Sequence, residues 1–158
     1  MKMPSFDLQV AALGLVLPPP PQPVATYIPV VQSGNLLFLS GMIPLREGVM
    51  VMEGKLGAGI SIEQGYEAAK ICMLNALSII RHHLGTLDRV TRIVRMVGYV
   101  ASAEGFTQQP HVINGASDLL HQVFDKTGDG FHARSALGFV SLPTGAAVEV
   151  EAIFEIKD

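Results

Sequence analysis

The amino-acid sequence predicts an α+β sandwich with the element order β-β-β-α-β-α-β-β, in which two helices pack on one face of a mixed sheet. Three observations support this prediction. Short strand-like runs separated by turn residues come first, two amphipathic helical segments follow with a strand between them, and two strand-like segments come last. A length of 158 residues suits one domain with one hydrophobic core.

Residues 1–23 are predicted to form an arm that packs onto a single domain at residues 24–158. Phe6, Val10 and Leu13 can share a helical face, and Ser5 is a suitable N-cap, so a short amphipathic helix is expected within 5–15. Prolines at 18–21 then impose an extended spacer, because they cannot enter a helix or the interior of a sheet. Since Asp7 interrupts the apolar stretch, we do not interpret it as an export signal.

The domain is predicted to begin with three strands, at 27–31, 36–40 and 48–52, the first two joined by a tight turn at 33–35. A helix starts after Ser61, because Gln64 stands three residues later in the spacing of a capping box. Gly85 is placed to end that helix.

The second half of the domain contains one buried strand, one helix and the final two strands. The segment 89–100 is apolar on both faces and is therefore predicted to be covered on both sides. The helix is expected at 110–126, followed by glycines at 128 and 130. In 148–156, apolar residues alternate with Glu149, Glu151 and Glu155, which predicts a strand with one face in the core.

The composition favours a self-associating protein and disfavours several functional classes. Hydrophobic residues make up 49% of the chain and charged residues only 16%, an apolar excess that burial between subunits accommodates. No run reaches the roughly 18 apolar residues that a membrane span needs. A net charge of −3 with 11 scattered Lys and Arg residues disfavours nucleic-acid binding. A single cysteine excludes an internal disulfide, and we expect a cytoplasmic protein.

Several short motifs are better explained by structure than by chemistry. Cys72 lies in the middle of a predicted helix and is interpreted as a small core residue. His82 and His83 are adjacent and point about 100° apart, so they lack the spacing of a zinc-binding pair, and no metal site is predicted. The segment 125–130 resembles half of a calcium loop, but Ala136 stands where the twelfth-position glutamate is required, so a turn is predicted.

Arg134 has two possible interpretations. Its surroundings in the sequence are apolar, so its guanidinium needs a partner: an ion pair with one of the three strand glutamates, or a ligand carboxylate held by two hydrogen bonds. On the pattern alone the ion pair is the commoner outcome. A single glutamate of the last strand is also a candidate for holding a water molecule, but the spacing does not choose among them.

Several motifs together resemble the RidA/YjgF family of reactive intermediate deaminases. The resemblance covers about residues 24–157 and is carried by Tyr27, the turn at 33–35, Leu39-Ser40-Gly41-Met42-Ile43-Pro44, Asn114, Ala133-Arg134-Ser135, Leu142-Pro143 and Val148-Glu149-Val150-Glu151-Ala152. It implies a chorismate-mutase-like α+β fold and a homotrimer with ligand sites in the clefts between subunits. It also implies cofactor-free hydrolysis of enamine and imine intermediates, such as 2-aminoacrylate, to 2-oxo acids and ammonia.

The resemblance also assigns roles to particular residues. Arg134 would hold the substrate carboxylate, and Glu149 would position or activate the attacking water. The pocket would further be lined by Tyr27, Ser40, Asn114 and Ala136; many relatives have cysteine at the last of these positions, where a backbone contact would survive.

Two other functions remain open at this point. Met42 replaces a glutamine that is common in relatives, which motivates the alternative of a non-catalytic trimeric protein that binds small carboxylates or has a regulatory role. RNA cleavage has been attached to relatives, but the acidic pI near 5.9 disfavours it.

Overall fold

The computed structural model describes residues 5–22, 25–124 and 130–157. Its helices are α1 Phe6–Ala12, α2 Ile62–Leu84 and α3 Gln109–Phe124. Its strands are β1 Val30–Ser33, β2 Leu36–Leu39, β3 Leu45–Arg46, β4 Val49–Met50, β5 Lys55–Leu56, β6 Gly59–Ile60, β7 Val90–Ala101, β8 Ala133–Phe139 and β9 Val148–Ile156.

The main sheet has five strands in the order β1-β2-β9-β7-β8. All neighbouring strands are antiparallel except β7 and β8, which are parallel, so the sheet is mixed as predicted. Apart from Ile71, the buried apolar residues of β9 and of the two long helices belong to one core cluster. The alternation predicted for β9 is confirmed, because Val148, Val150 and Phe154 are buried while the intervening residues are half-buried. The predicted α+β class is therefore correct.

The predicted third strand does not belong to this sheet. Residues 49–50 form β4, which pairs only with β3 in a separate two-stranded hairpin. The reversal occurs at Glu47 and Gly48, whose φ angles are 51° and 78°. Because two consecutive residues adopt left-handed backbone, the chain turns back after β3 instead of crossing to the main sheet.

The first strand also begins later than predicted. The turn after Ser33 is confirmed, with Gly34 at a φ of 59°, but β1 starts at Val30 and not at Tyr27. Pro29 carries no N–H to donate to a neighbouring strand, and the Tyr27 N–H donates to the Ala25 carbonyl at 2.9 Å. Tyr27 therefore lies in an irregular segment and is about half exposed.

Helix α2 has the boundaries that its terminal residues predict. The Ser61 hydroxyl accepts from the Gln64 N–H while the Gln64 side chain accepts from the Ser61 N–H, which is a complete capping box. Gly85 ends the helix in the left-handed conformation, with a φ of 81°. The inward stripe of α2 is buried and includes Ala69, Met73, Ala76, Leu77 and Ile80.

Within a single chain, the predicted coverage of β7 on both faces is found over only part of the strand. Its second half is buried from Met96 to Gly98, but Arg92 and Arg95 are exposed. The helices cover one face of the sheet, and the other face is open in a single chain.

The N-terminal arm is fastened to the helical layer by apolar and polar contacts. The Phe6 ring lies edge-on to the Phe124 ring of α3 at 4.6 Å, and the Phe6 N–H donates to the Asp88 carboxylate at 2.6 Å. In return, the Asp7 carboxylate accepts from the Leu87 N–H at 3.2 Å. Leu13 is partly exposed because the helix ends at Ala12.

Three predictions fall wholly or partly outside the described residues. They are the domain boundary at residue 23, the end of the second helix at 126 and the turn at 125–130, of which only residue 130 is described. Within the described ranges, none of the helices combines the length and apolar character required to cross a bilayer.

Candidate functional site

Arg134 extends from the edge strand β8 toward α3, where two side chains hold it. Its Nη1 donates to Asn114 Oδ1 at 2.8 Å and to Ser117 Oγ at 3.0 Å, and its Nη2 approaches the Pro110 carbonyl at 3.5 Å. Asn114 and Ser117 are three residues apart on one helix, so their side chains lie on the same face. Polar groups of α3, and not a strand glutamate, are thus the hydrogen-bond partners of Arg134.

These contacts leave one edge of the guanidinium available. Both hydrogens of Nη1 are engaged by α3, and among the described residues none accepts a hydrogen bond from Nε. An arginine presents two parallel N–H groups along its Nε–Nη2 edge, a geometry that matches the two oxygens of a carboxylate. The arrangement suits Arg134 to binding a small carboxylate.

Ser117 connects Arg134 to His132. The Ser117 Oγ lies 3.0 Å from His132 Nε2, and His132 Nδ1 lies 3.1 Å from the Gly130 carbonyl. Burial lowers the pKa of His132, the hydrogen bond to Gly130 opposes this, and the charge of Arg134 lowers it further. These residues border a cavity of about 270 Å³ that Arg134 also lines.

Sequence reasoning missed Ser117 and His132. Two signals were available: Ser117 follows Asn114 by one helical turn, and His132 precedes Arg134 by two strand positions. Neither signal is specific without the knowledge that α3 lies beside β8.

Glu149 occupies the opposite face of the sheet, in the central strand β9. Burial raises the pKa of its carboxyl, and the negative charge of Glu151 raises it further. The carboxylate packs against the backbone of Gly41: a Cβ on that glycine would lie 1.9 Å from Glu149 Oε1. Gly41 therefore provides the space that the Glu149 side chain occupies.

The register of the strands separates Arg134 from Glu149. Arg134 pairs with Met96, which pairs with Ala152, and both of these partners are buried on the helical face. Glu149 pairs with Tyr99 on the other face. Since paired residues share a face of a sheet, the two predicted catalytic residues are not brought together within one chain.

Ser40 directly precedes Gly41, the glycine against which Glu149 packs, and it contacts the segment that carries Tyr27. The Ser40 hydroxyl donates to the Ile28 carbonyl at 2.8 Å, and the Ser40 N–H donates to the Pro29 carbonyl at 2.9 Å. Ser40 thereby holds the segment that carries Tyr27 against the end of β2. Tyr27 and Gly41 line a small cavity of about 70 Å³ whose wall also includes Pro21 and Gln22 from the arm.

Ala136 belongs to the Arg134 group. It lies two residues beyond Arg134 on β8, pairs with Gly98 and packs at the margin of the core. Arg134, Asn114 and Ala136 thus lie together on the helical side, whereas Tyr27 and Ser40 are connected to Glu149 only through the chain at Gly41.

Cys72 takes no part in the candidate site. It is fully buried in α2, and burial raises the pKa of its thiol well above the ordinary value, with a smaller contribution from the charge of Glu149. A protonated, inaccessible thiol is not a nucleophile. The interpretation as a core residue is confirmed.

Comparisons with known proteins agree with the fold. The model of the family described as "YjgF/chorismate mutase-like, putative endoribonuclease" matches residues 7–152. Protein TCP17 of Trypanosoma cruzi is 42% identical over 146 residues, which are 92% of this chain and 91% of that protein. A 2-iminobutanoate/2-iminopropanoate deaminase of Dermatophagoides farinae is 26% identical over 137 residues, covering 87% of this chain and 91% of that protein.

A solved structure agrees over nearly the whole chain. A Shewanella oneidensis protein described as a "putative endoribonuclease" superimposes with a TM-score of 0.92 at 28% identity, covering 97% of this chain and 100% of that one. The family model extends from the first helix into the last strand and includes Arg134 and Glu149. The chain therefore belongs to the YjgF/RidA family, whose chorismate-mutase-like α+β fold it has.

Proposed function

We propose that this protein hydrolyses reactive enamine and imine intermediates, such as 2-aminoacrylate, to 2-oxo acids and ammonia without a cofactor. One observation carries the proposal: among the described residues none accepts a hydrogen bond from Arg134 Nε, and Nη2 makes one long contact of 3.5 Å with the Pro110 carbonyl, so the Nε–Nη2 edge can bind a carboxylate. Its proposed partner in the reaction is Glu149, a carboxylate with a raised pKa. The relation to a 2-iminobutanoate/2-iminopropanoate deaminase supports the same chemistry.

The proposed active site lies between subunits of a homotrimer. Because Arg134 and Glu149 lie on opposite faces of one sheet, one small substrate meets both only if they come from different copies. The open face and the edge strand β8 present exposed apolar side chains suited to such association, namely Val31, Phe38, Leu137 and Phe139. A ring that closes through this heterologous contact gives equivalent sites at each interface.

In the proposed reaction, Arg134 and Glu149 divide binding and proton transfer between them. Arg134 binds the substrate carboxylate and fixes the iminium carbon near Glu149 of the neighbouring copy. The Glu149 carboxylate takes a proton from a water molecule while the water oxygen bonds to that carbon, and a carbinolamine forms. The same carboxyl then returns the proton to nitrogen. As the C–N bond breaks, the Glu149 carboxylate takes the proton of the carbinolamine hydroxyl and passes it to the departing ammonia, so a 2-oxo acid and ammonium leave. An enamine must first take a proton from the solvent on its β-carbon to become this iminium ion.

The raised pKa of Glu149 suits this role. A general base is most effective when its pKa lies near the working pH, and burial together with Glu151 moves the Glu149 pKa in that direction. No covalent intermediate is needed, because an iminium carbon is already electrophilic. This agrees with the inert state of Cys72.

The test is imine hydrolysis with substrates that an amino-acid oxidase generates from several amino acids. We expect Arg134→Ala to lower kcat/KM by about 100-fold through loss of charge-assisted hydrogen bonds, and Glu149→Gln to lower kcat by a similar factor. Arg81→Ala, which removes an exposed arginine of α2, is the matched control. Wild-type protein that accelerates imine decay no more than buffer would refute the proposal.

A second candidate is a trimeric protein that binds small carboxylates without turnover. One observation favours it: Asn114 and Ser117 already orient Arg134 without any contribution from Glu149, which lies on the other face. In that case pyruvate would bind wild type and Glu149→Gln equally, and no imine would be hydrolysed.

Cleavage of a single-stranded RNA in the same assay series would instead support the activity named for the Shewanella oneidensis relative.

A further inference from the structure

We propose that Ser117 and His132 are positioning residues, which hold the Arg134 guanidinium with its Nε–Nη2 edge ready for a planar carboxylate. In this arrangement His132 is neutral and carries its proton on Nδ1. The inference rests on the proposed function for its consequence in catalysis. Its structural part concerns a chain of hydrogen bonds through Arg134, Ser117, His132 and Gly130.

The direction of each hydrogen bond in this chain is fixed by its two ends. The Gly130 carbonyl only accepts, so His132 Nδ1, at 3.1 Å, must carry a proton. In a neutral imidazole, Nε2 is then the acceptor, and the Ser117 hydroxyl at 3.0 Å donates to it. The Ser117 oxygen consequently offers its lone pairs to the Arg134 Nη1 hydrogen, at 3.0 Å.

The anchor of this chain is built by a close approach of backbone to α3. Gly130 lies so near His121 that a Cβ would come within 2.8 Å of the His121 Cα. Only a glycine fits at that separation. The carbonyl that orients the His132 ring is therefore held against the same helix that carries Ser117.

Charge also favours the neutral form of His132. The ring is partly buried and faces the Arg134 cation on β8, and both effects lower its pKa. Asp118 and His121 of α3 line the same cavity, but the Asp118 carboxylate accepts a hydrogen bond from the Tyr66 hydroxyl at 2.9 Å. Near neutral pH, Nε2 is thus able to accept from Ser117.

The consequence is a guanidinium with one possible orientation. Asn114 and Ser117 together engage both Nη1 hydrogens, so rotation of the fork would break a hydrogen bond to a charged group. Without the Ser117 hydroxyl, one of these two constraints is lost. The expected effect is weaker carboxylate binding with nearly unchanged chemistry, because Arg134 binds substrate and transition state alike.

The experiment compares the full-length wild type with Ser117→Ala, Ser117→Thr and His132→Gln. Pyruvate serves as a stable carboxylate probe for calorimetry, and imine hydrolysis supplies kcat and KM separately. We expect Ser117→Ala to weaken pyruvate binding and raise KM about tenfold, with kcat within about threefold of wild type. Ser117→Thr retains the hydroxyl, and His132→Gln retains an acceptor for the Ser117 hydroxyl. Both variants should therefore bind pyruvate nearly as wild type does. Ser141→Ala, at an exposed serine away from Arg134, is the control.

A second readout does not depend on catalysis. Long-range nitrogen–proton NMR spectra near pH 7.5 should show His132 protonated on Nδ1 in the wild type. Three results would overturn the proposal. The first is a His132 ring protonated on Nε2, the second is a Ser117→Ala variant that binds pyruvate as well as wild type, and the third is a wild-type protein that does not bind pyruvate. If the Ser117→Ala binding defect is found but no variant hydrolyses imines, only the proposed deaminase function fails. If Ser117→Ala does not fold, the NMR result on the wild type and the Ser117→Thr and His132→Gln binding data decide.

Discussion

Replacing Gly41 with alanine tests whether the position of the Glu149 carboxylate matters. An ideal Cβ at Gly41 would lie 1.9 Å from Glu149 Oε1 and 2.8 Å from its Cδ, against the 3.4–4 Å of ordinary contact. The carboxylate must therefore move by about 1.5 Å. It can do so at low cost in stability, because the clash involves the end of a flexible side chain and the φ of Gly41 is not in the left-handed region.

The expected result is a loss of activity without a loss of stability. Misplacement of a catalytic group by about 1 Å can cost about 100-fold in rate, so we expect kcat for imine hydrolysis to fall by about that factor. Alanine also restricts the unfolded chain more than glycine does, which favours the folded state by about 0.4–1 kcal/mol. The melting temperature should therefore stay within about 3 °C of wild type.

A contrasting variant separates this effect from a general disturbance. At Gly98 an added Cβ would lie 2.4 Å from Ile113 in the core between β7 and α3. Gly98→Ala should consequently lower the melting temperature, which Gly41→Ala should not. Steady-state kinetics and thermal unfolding of both variants make the comparison. A Gly41→Ala protein with kcat within about threefold of wild type would show that Glu149 does not need this position, and the proposed role of Glu149 would fail.

Two further predictions concern stability. The raised pKa of Glu149 means that the folded state favours the protonated carboxyl, so its stabilising contribution is present below the unfolded value of 4.5 and is lost as pH rises through the folded pKa. Glu149→Gln should therefore melt at a higher temperature than wild type at pH 8, with the difference vanishing near pH 4; equal melting temperatures at pH 8 would contradict the assignment. Phe6→Ala should lower stability by about 3 kcal/mol, because the buried ring packs on Phe124, while Leu8→Ala at an exposed position should change it by less than about 0.5 kcal/mol. Denaturant unfolding measures the free energy of unfolding of the Phe6→Ala and Leu8→Ala variants. An equal effect of these two substitutions would mean that the arm does not pack on α3 as described.

Patterns that depend on local chemistry predicted the fold well. The capping box at Ser61 and Gln64, the end of the helix at Gly85 and the alternation in β9 each follow from neighbouring residues, and each is confirmed. The errors occurred where the outcome depends on which strand finds which partner. Residues 48–52 are strand-like in composition, but the turn at Glu47 pairs them with β3 and not with the main sheet.

The sequence predicted less of the candidate site than of the fold. Alternation placed the three strand glutamates on one face, but it could not show that the Glu149 carboxylate packs against Gly41. The contacts of Arg134 were not predictable from its own strand, because Asn114 and Ser117 reach it from a helix about 20 residues earlier. Resemblance to the family identified Arg134 and Asn114, whereas their hydrogen bond became evident only from the packing of α3 beside β8.

The separation of Arg134 from Glu149 links the apolar composition of the chain to its proposed chemistry. A site confined to one subunit would require both residues on one face, but strand register fixes them on opposite faces. The same register places Phe38 and Leu137 on the open face, where they are exposed in a single chain. Covering these apolar side chains with a second copy is favourable by itself, and it is also the arrangement able to supply the missing catalytic partner. In this proposal, association and catalysis depend on the same surface, so an isolated subunit would carry the carboxylate-binding residue without its base.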